Sequence, residues 1–322
     1  MIKSERGSVT VFTLSACLLM SFILVGIFMG SQNKVINQKR QLKSIENSYK
    51  ENSQDDKMAQ LYEETMKNDP NNIEADLKIS TAQELKEFAT RVNNGENFEG
   101  KIVALMNDID LSSVCSESVG SWIPIGSSTT NSFKGTFNGR NYTISNLYIF
   151  ATENYQGLFG INEGTIKNIK MSVGQINWSK NEISYFGMIA SYNKGQIISC
   201  KTVGGQISGN GITDNAGGIT GYNVGTIKKC SNNIDSISVY AEVGGISGTN
   251  KGGTIQECYN IGKVSGDGSI GGIAGQNLVG STIKNCYNTA DISASSDYGG
   301  INGTNRRKHR KLLFYRNSIR WT

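Results

Sequence analysis

The chain has 322 residues, with 38 glycines, two prolines and a formal charge of +5 from 32 basic and 27 acidic side chains. Glycine well above its usual ~7% with almost no proline excludes a Pro-rich linker and predicts regular structure with many tight bends. The single histidine is His309, so residues 1–305 contain no imidazole, and the HExxH zinc-protease motif is excluded.

The chain opens on residues 9–30, VTVFTLSACLLMSFILVGIFMG, an uncharged run of 22. That is enough to cross a bilayer as a helix, which needs about 20 residues. Its place at the amino terminus predicts a signal-anchor or an export signal. Three variants are open. LSAC at Leu14–Cys17 fits a lipoprotein box, but an apolar run follows the cysteine where a polar tether is expected. RGSVTVF from Arg6 resembles a prepilin leader cut after Gly7, with Phe12 where such helices usually carry glutamate. An uncleaved anchor is the plainest expectation. Lys34, Lys39, Arg40 and Lys43 after the helix outnumber Lys3 and Arg6 before it, which by charge alone puts the rest of the chain inside. The nature of the downstream domain argues for outside.

Residues 31–78 read as a polar helical stalk with Val35, Leu42, Ile45 and Tyr49 on one stripe. Asn68–Asn72, NDPNN, ends its second helix, because proline cannot continue one. Residues 80–92 predict a capping helix, with Ser80 as N-cap, Gln83 three residues on, and Leu85, Phe88, Ala89 and Val92 as its apolar stripe.

From residue 157 the chain repeats itself: GLFGINEGTIKNI, GMIASYNKGQIISC, GGITGYNVGTIKKC, GGISGTNKGGTIQEC and GGIAGQNLVGSTIKNC, then a truncated GGINGTN. The shared asparagines are Asn162, Asn193, Asn223, Asn250, Asn277 and Asn305, spaced 31, 30, 27, 27 and 28 apart. Such a period means a stacked solenoid, because one unit cannot bury its own apolar face. Short β-favouring pieces between Gly and Asn bends predict one coil of a right-handed parallel β-helix per repeat, with coils ~4.8 Å apart. The fold class expected is therefore all-β. Identical residues then stack. Ile166, Ile197, Ile227, Ile255 and Ile283 form an inner column, and the asparagines a second one bonded rung to rung. The Gly pairs are expected to supply corner geometries.

These repeats resemble the GLUG repeat, named for its Gly-Leu-any-Gly core and followed by Asn-x-Gly-Thr-Ile-x-x-Cys. ISTAQELKEFATRVNNGENFEGKIVALMNDIDL and FKGTFNGRNYTISNLYI resemble the segment that introduces such repeats, which extends the likeness over 79–305. Copy two departs from the pattern at Ser191 and Gln196, and copy one has Ile169 where later copies have cysteine. The resemblance implies a β-helical module of bacterial surface and secreted proteins, sometimes attached to proteases, with no catalytic residues of its own.

Cys200, Cys230, Cys258 and Cys286 share one repeat position. A column places ligands in a line, whereas structural zinc wants a tetrahedron, so buried reduced thiols are expected rather than a metal site. Asp108 and Asp110 share a strand face and could bind calcium, although a solvated face is the plainer reading. Tyr142, Tyr155, Tyr192 and Tyr222 could make sugar-stacking platforms or simply cover the outer face. The function expected is adhesion or assembly at the cell surface: membrane attachment through the amino-terminal helix, a glycan or protein ligand, no cofactor, no metal, no nucleic acid and no catalysis. The alternatives are a β-helical polysaccharide lyase or hydrolase and a pilin-like subunit.

The ending breaks the pattern. Seven basic residues and no acid fall within 306–320, and without them the chain holds 25 basic against 27 acidic residues. The basic balance belongs to this tail alone, and 306–322 reads as a frameshifted remnant of the next repeat. Arg307–Phe314, RKHRKLLF, can be encoded AGG AAA CAT AGA AAA CTG CTA TTT. One nucleotide later this reads Gly-Asn-Ile-Glu-Asn-Cys-Tyr, the repeat with its cysteine in place. The gene is expected to carry codons that yield this phrase in the shifted frame; codons that do not would leave a genuine basic tail.

Overall fold

A computed structural model of the chain describes residues 75–151, 153–178, 185–209 and 214–303, with the backbone of Ile319–Arg320. These belong to one compact unit, Asp69–Thr322. Gly7, the apolar segment 9–30, nearly all of the stalk, Asn305 and almost the whole basic tail lie outside the described residues. Among the described residues no helix is long and apolar enough to cross a membrane.

The described chain winds into a parallel β-solenoid of the right-handed type with about seven turns. Its first sheet stacks Leu77–Ile79, Ile102–Leu105, Thr136–Asn138, Thr165–Lys167, Gln196–Ile198, Thr226–Lys228, Thr254–Gln256 and Thr282–Lys284, all parallel. The first of these strands starts inside the expected stalk, so the solenoid begins slightly ahead of residue 79. Ile319–Arg320 adds an antiparallel strand against the last. The second sheet is built on the nine-residue strands Lys170–Trp178 and Lys201–Gly209, which later coils break into two short pieces. Strands such as Tyr185–Gly187, Asn215–Gly217 and Glu242–Gly244 form the third sheet. Phe159–Asn162, Ala190–Asn193, Thr220–Asn223, Ser247–Asn250 and Ala274–Asn277 form the fourth. Each repeat runs through the third, fourth, first and second sheets in turn.

Alternation puts every second residue inside. Ile166, Ile197, Ile227, Ile255 and Ile283 stand in register and are buried. Ile176, Ile207, Ile237 and Val264 form a parallel column on the second sheet. Since each unit buries its apolar side chains only against the units above and below, no single coil is stable by itself.

The corner between the first and second sheets turns on residues other than glycine. The left-handed residues there are Asn168, Ser199, Lys229, Glu257 and Asn285, with φ between 53° and 57°. A left-handed residue other than glycine costs roughly 1–2 kcal/mol. Here the strain is offset by rung-to-rung bonding, as in Ser199 N–H donating to the Lys228 carbonyl at 2.9 Å and Lys229 N–H to Gln256 at 3.1 Å. The Gly pairs do something else. A Cβ on Gly244 would fall 1.9 Å from the Ser247 carbonyl oxygen, and one on Gly245 would fall 2.2 Å from the Asn260 side chain. They are glycine because of close approach, not because of φ.

The helix α1, Ala82–Asn93, covers the first coil with Leu85, Phe88, Ala89 and Val92 buried. Phe88 meets Phe98 at 4.9 Å and both Phe133 and Phe137 at 5.8 Å. The N-cap is Thr81 with Glu84, one residue later than the Ser80–Gln83 pair. The Glu84 carboxylate accepts from the backbone N–H groups of both Ser80 and Thr81. A charged acceptor outcompetes the neutral Gln83 amide, which donates to Glu87 instead.

Candidate binding surfaces

The repeated polar residues face inward. Asn162, Asn193, Asn223, Asn250 and Asn277 form a buried ladder in which each amide donates to the next coil's Oδ1, at 2.8, 2.8, 2.7 and 2.8 Å. The first four also bond a carbonyl of their own coil, as Asn223 does to Gly225 at 3.2 Å. A second ladder was missed from sequence: Thr202 donates to Asn232, Asn232 to Asn260 and Asn260 to Asn288, at 2.6, 2.8 and 2.8 Å. Its signal was an asparagine two residues after Cys230, Cys258 and Cys286.

Cys200, Cys230, Cys258 and Cys286 stand in a buried line as free thiols. Each S–H donates to the carbonyl two residues back, between 3.1 and 3.4 Å. The sulfurs of Cys230, Cys258 and Cys286 each accept the backbone N–H of the preceding coil's cysteine at 3.4 Å. Burial pushes the Cys200 and Cys258 thiols well up, which keeps them protonated and poor as nucleophiles or ligands. Among the described residues no group of three His, Cys, Asp or Glu is placed to hold a metal. These columns set coil register and present nothing to a ligand.

The two aspartates are tied into the fold. Asp108 accepts the Thr143 N–H at 2.7 Å. Asp110 accepts Asn146 and the Ser112 N–H, both at 2.9 Å, and these bonds hold its carboxyl below the usual range.

The tyrosines sort differently from expectation. Tyr142 stands apart, beneath the Arg140 guanidinium. Tyr155, Tyr192 and Tyr222 are joined by Tyr185, which the sequence reading omitted. Tyr192 and Tyr222 stack at 5.1 Å and 6°, Tyr155 and Tyr185 at 5.6 Å and 18°, and Tyr185 meets Tyr222 edge-on at 5.2 Å. In-register stacking consumes ring faces, so much of what this cluster offers a ligand is ring edge and hydroxyl rather than open platform. The concave corner between third and fourth sheets continues into polar rungs. Thr249 there donates to Asn215 at 2.6 Å, and Gln276 to Glu242 at 2.7 Å.

Tyr155 also lines a trench of about 630 Å³ with Trp122, Ile123, Pro124, Phe150 and Glu153. Ile123 is 65% exposed and Phe150 51%. Large apolar side chains exposed around one concavity make this trench the candidate interaction site. Trench and tyrosine corner share Tyr155 and form one aromatic strip.

The GLUG motif matches residues 266–293, one coil of the solenoid, and the same residue pattern recurs in the coils before it. Among solved structures the chain is similar to a candidate immunoglobulin A1 protease from Bacteroides ovatus, with 25% identity and a TM-score of 0.59 over 71% of each chain. No curated protein matches the chain by sequence.

Glu242 supplies a test of the corner. Burial raises its carboxyl pKa above the usual value, so in that window the folded chain holds a proton that the unfolded chain has lost. Stability then falls as pH rises through the window. Glu242→Gln is expected to flatten that fall in a pH series of denaturant unfolding; an unchanged slope would mean a solvated carboxylate.

Proposed function

We propose that this GLUG-repeat protein is a binding module without catalysis of its own. In this reading its amino-terminal apolar segment holds it in a bacterial cell membrane, its solenoid faces outward, and it serves surface adhesion or assembly. The observation that carries the reading is the aromatic strip. Exposed Ile123 and Phe150 flank a concavity on a rigid stack of coils, and Tyr155 joins them to three further tyrosines. Binding surfaces are enriched in such amphipathic rings, which bring large contact area at low entropic cost. The ligand in this reading is a glycan or protein of a cell surface or host, and not a nucleic acid.

Glu242 favours a second reading. A partly buried carboxyl with a raised pKa in a concave corner has the character of a general acid, and the Bacteroides ovatus relative is named as a candidate protease. Glycoside hydrolysis ordinarily needs a second carboxyl nearby. Gln276 donates to the Glu242 carboxylate and the Asp214 carbonyl accepts the Glu242 N–H at 2.9 Å, but the Asp214 carboxyl is fully buried on the Gly209 side and not in the corner, so binding is the better supported of the two.

Protease added to intact cells is expected to remove the repeats while the apolar segment stays in the membrane fraction. Phe150→Ala with Tyr155→Ala is expected to weaken binding of the displayed protein to target cells by about thirtyfold, the ~2 kcal/mol scale of one interface hot spot. Repeats protected in intact cells would contradict the outward orientation, and unchanged binding would contradict the strip.

A further inference from the structure

Across the solenoid from the aromatic strip, the corner between the first and second sheets carries Lys167, Lys170, Lys201, Lys228, Lys229 and Lys284. Lys167 and Lys228 lie in one outward column with Ile198 between them, and Lys284 lies two coils further on. Lys170 and Lys201 are direct partners in register on neighbouring strands. Lys229 sits on the left-handed turn between the two columns. Lys170, Lys201 and Lys229 are exposed. The acids at this corner include Glu257, which meets Lys228 at 3.8 Å, and Asp108, which accepts the N–H of Thr143, the register partner of Lys170.

Like charges directly opposite on adjacent strands are destabilising. Adjacent rungs lie about 4.8 Å apart, inside the ~8 Å screening length of physiological salt, so the lysine fields add along the corner. The interior columns explain every inward residue of these coils but give no reason for cations outside. Glutamine at the same position in other coils, as at Gln256 opposite Lys228, shows that the fold does not require them.

We propose that this corner is a polyanion-binding ridge whose ligand is a linear acidic polysaccharide. Its charges repeat along the solenoid axis, so a chain bearing carboxylates at regular intervals can lie along it and relieve the lysine–lysine repulsion. Three features favour polysaccharide over nucleic acid. The ridge is built from six lysines with a single arginine, Arg140 over Tyr142 at its first turns, whereas arginine's planar fork is the preferred reader of phosphate. The rung spacing of about 4.8 Å does not match the ~3.4 Å axial rise per phosphate of each duplex strand. The Lys170–Lys201 column passes through Ser231 to Tyr259 and Tyr287, whose rings stack on each other at 5.0 Å and 3°, so their facing sides are closed to unpaired bases. The inference rests on the binding-module reading and names a partner class at a surface separate from the aromatic strip.

The test uses the full chain in detergent, with polygalacturonate, neutral dextran and duplex DNA as probes over a salt series. The five-site variant combines Lys167→Gln, Lys170→Gln, Lys201→Gln, Lys228→Gln and Lys229→Gln; a matching variant places arginine at all five positions. Every form keeps the basic tail, so the differences isolate the ridge. The wild type should bind polygalacturonate more tightly than dextran or DNA, with affinity falling as salt rises. The Gln variant should bind on the order of tenfold or more weakly with a shallower salt dependence, and the Arg variant should retain binding. Circular dichroism checks folding, and Lys170→Gln with Lys201→Gln serves if the larger variant fails to fold. Unchanged affinity in a folded Gln variant, equal binding to dextran, or tighter binding to DNA would each overturn the proposal. If any of these occurs while Phe150→Ala with Tyr155→Ala still weakens adhesion, the ridge fails and the binding-module reading stands.

Discussion

A side-chain amide buried in this solenoid has to find its hydrogen-bond partner in the coil above or below. Leaving it unsatisfied costs about 1–3 kcal/mol per group. Asn162, Asn193, Asn223, Asn250 and Asn277 meet that demand only if successive coils keep the same register. A slip of one residue would turn the asparagines and the isoleucines beside them to the wrong face. Two amide ladders, the thiol line and the aliphatic columns all impose the same alignment. Coil-to-coil variation is therefore pushed outward: the spacing falls from 31 and 30 residues to 27 where the long second-sheet strands give way to shorter ones.

A rigid, repetitive interior leaves the exterior free to vary. The outer positions of the third and fourth sheets carry tyrosine in two coils, then Asn215 with Thr249, then Glu242 with Gln276. The corner between the first and second sheets carries lysine in some coils and Ile198 or Gln256 in others. Such a scaffold presents side chains at fixed spacing along an axis, which suits extended ligands better than small ones. Copy two's departure at Ser191 fits the same logic: where other coils have glycine, its hydroxyl donates to the Tyr185 carbonyl at 2.8 Å and ties the fourth-sheet strand to the third beside the tyrosine cluster.

The solenoid, its period and its inner columns were legible because stacking requires identical residues at identical positions, and periodicity survives in one dimension. The cap was legible in its stripe of Leu85, Phe88, Ala89 and Val92 but not in its first residue. Ser80 and Thr81 are both competent caps, and the Glu84 carboxylate decides between them. The left-handed corners at residues other than glycine were not legible, because Lys229 and Glu257 gain compensating bonds only from the next coil. Tyr185, the trench beside Phe150 and the lysine ridge were not legible as sites. Their residues lie about one coil apart in sequence and become neighbours only once register and corner angles are fixed.

The most direct measurement is equilibrium unfolding of Asn223→Leu beside Tyr222→Ser, its outward neighbour. The leucine leaves the Asn193 amide without its Oδ1 partner and removes a donor from Asn250. It should cost several times the ~1 kcal/mol of a single exposed hydrogen bond, with the loss felt across the whole unfolding transition, whereas Tyr222→Ser should cost less. Equal or smaller destabilisation by Asn223→Leu would contradict the view that the buried ladders hold the coils in register.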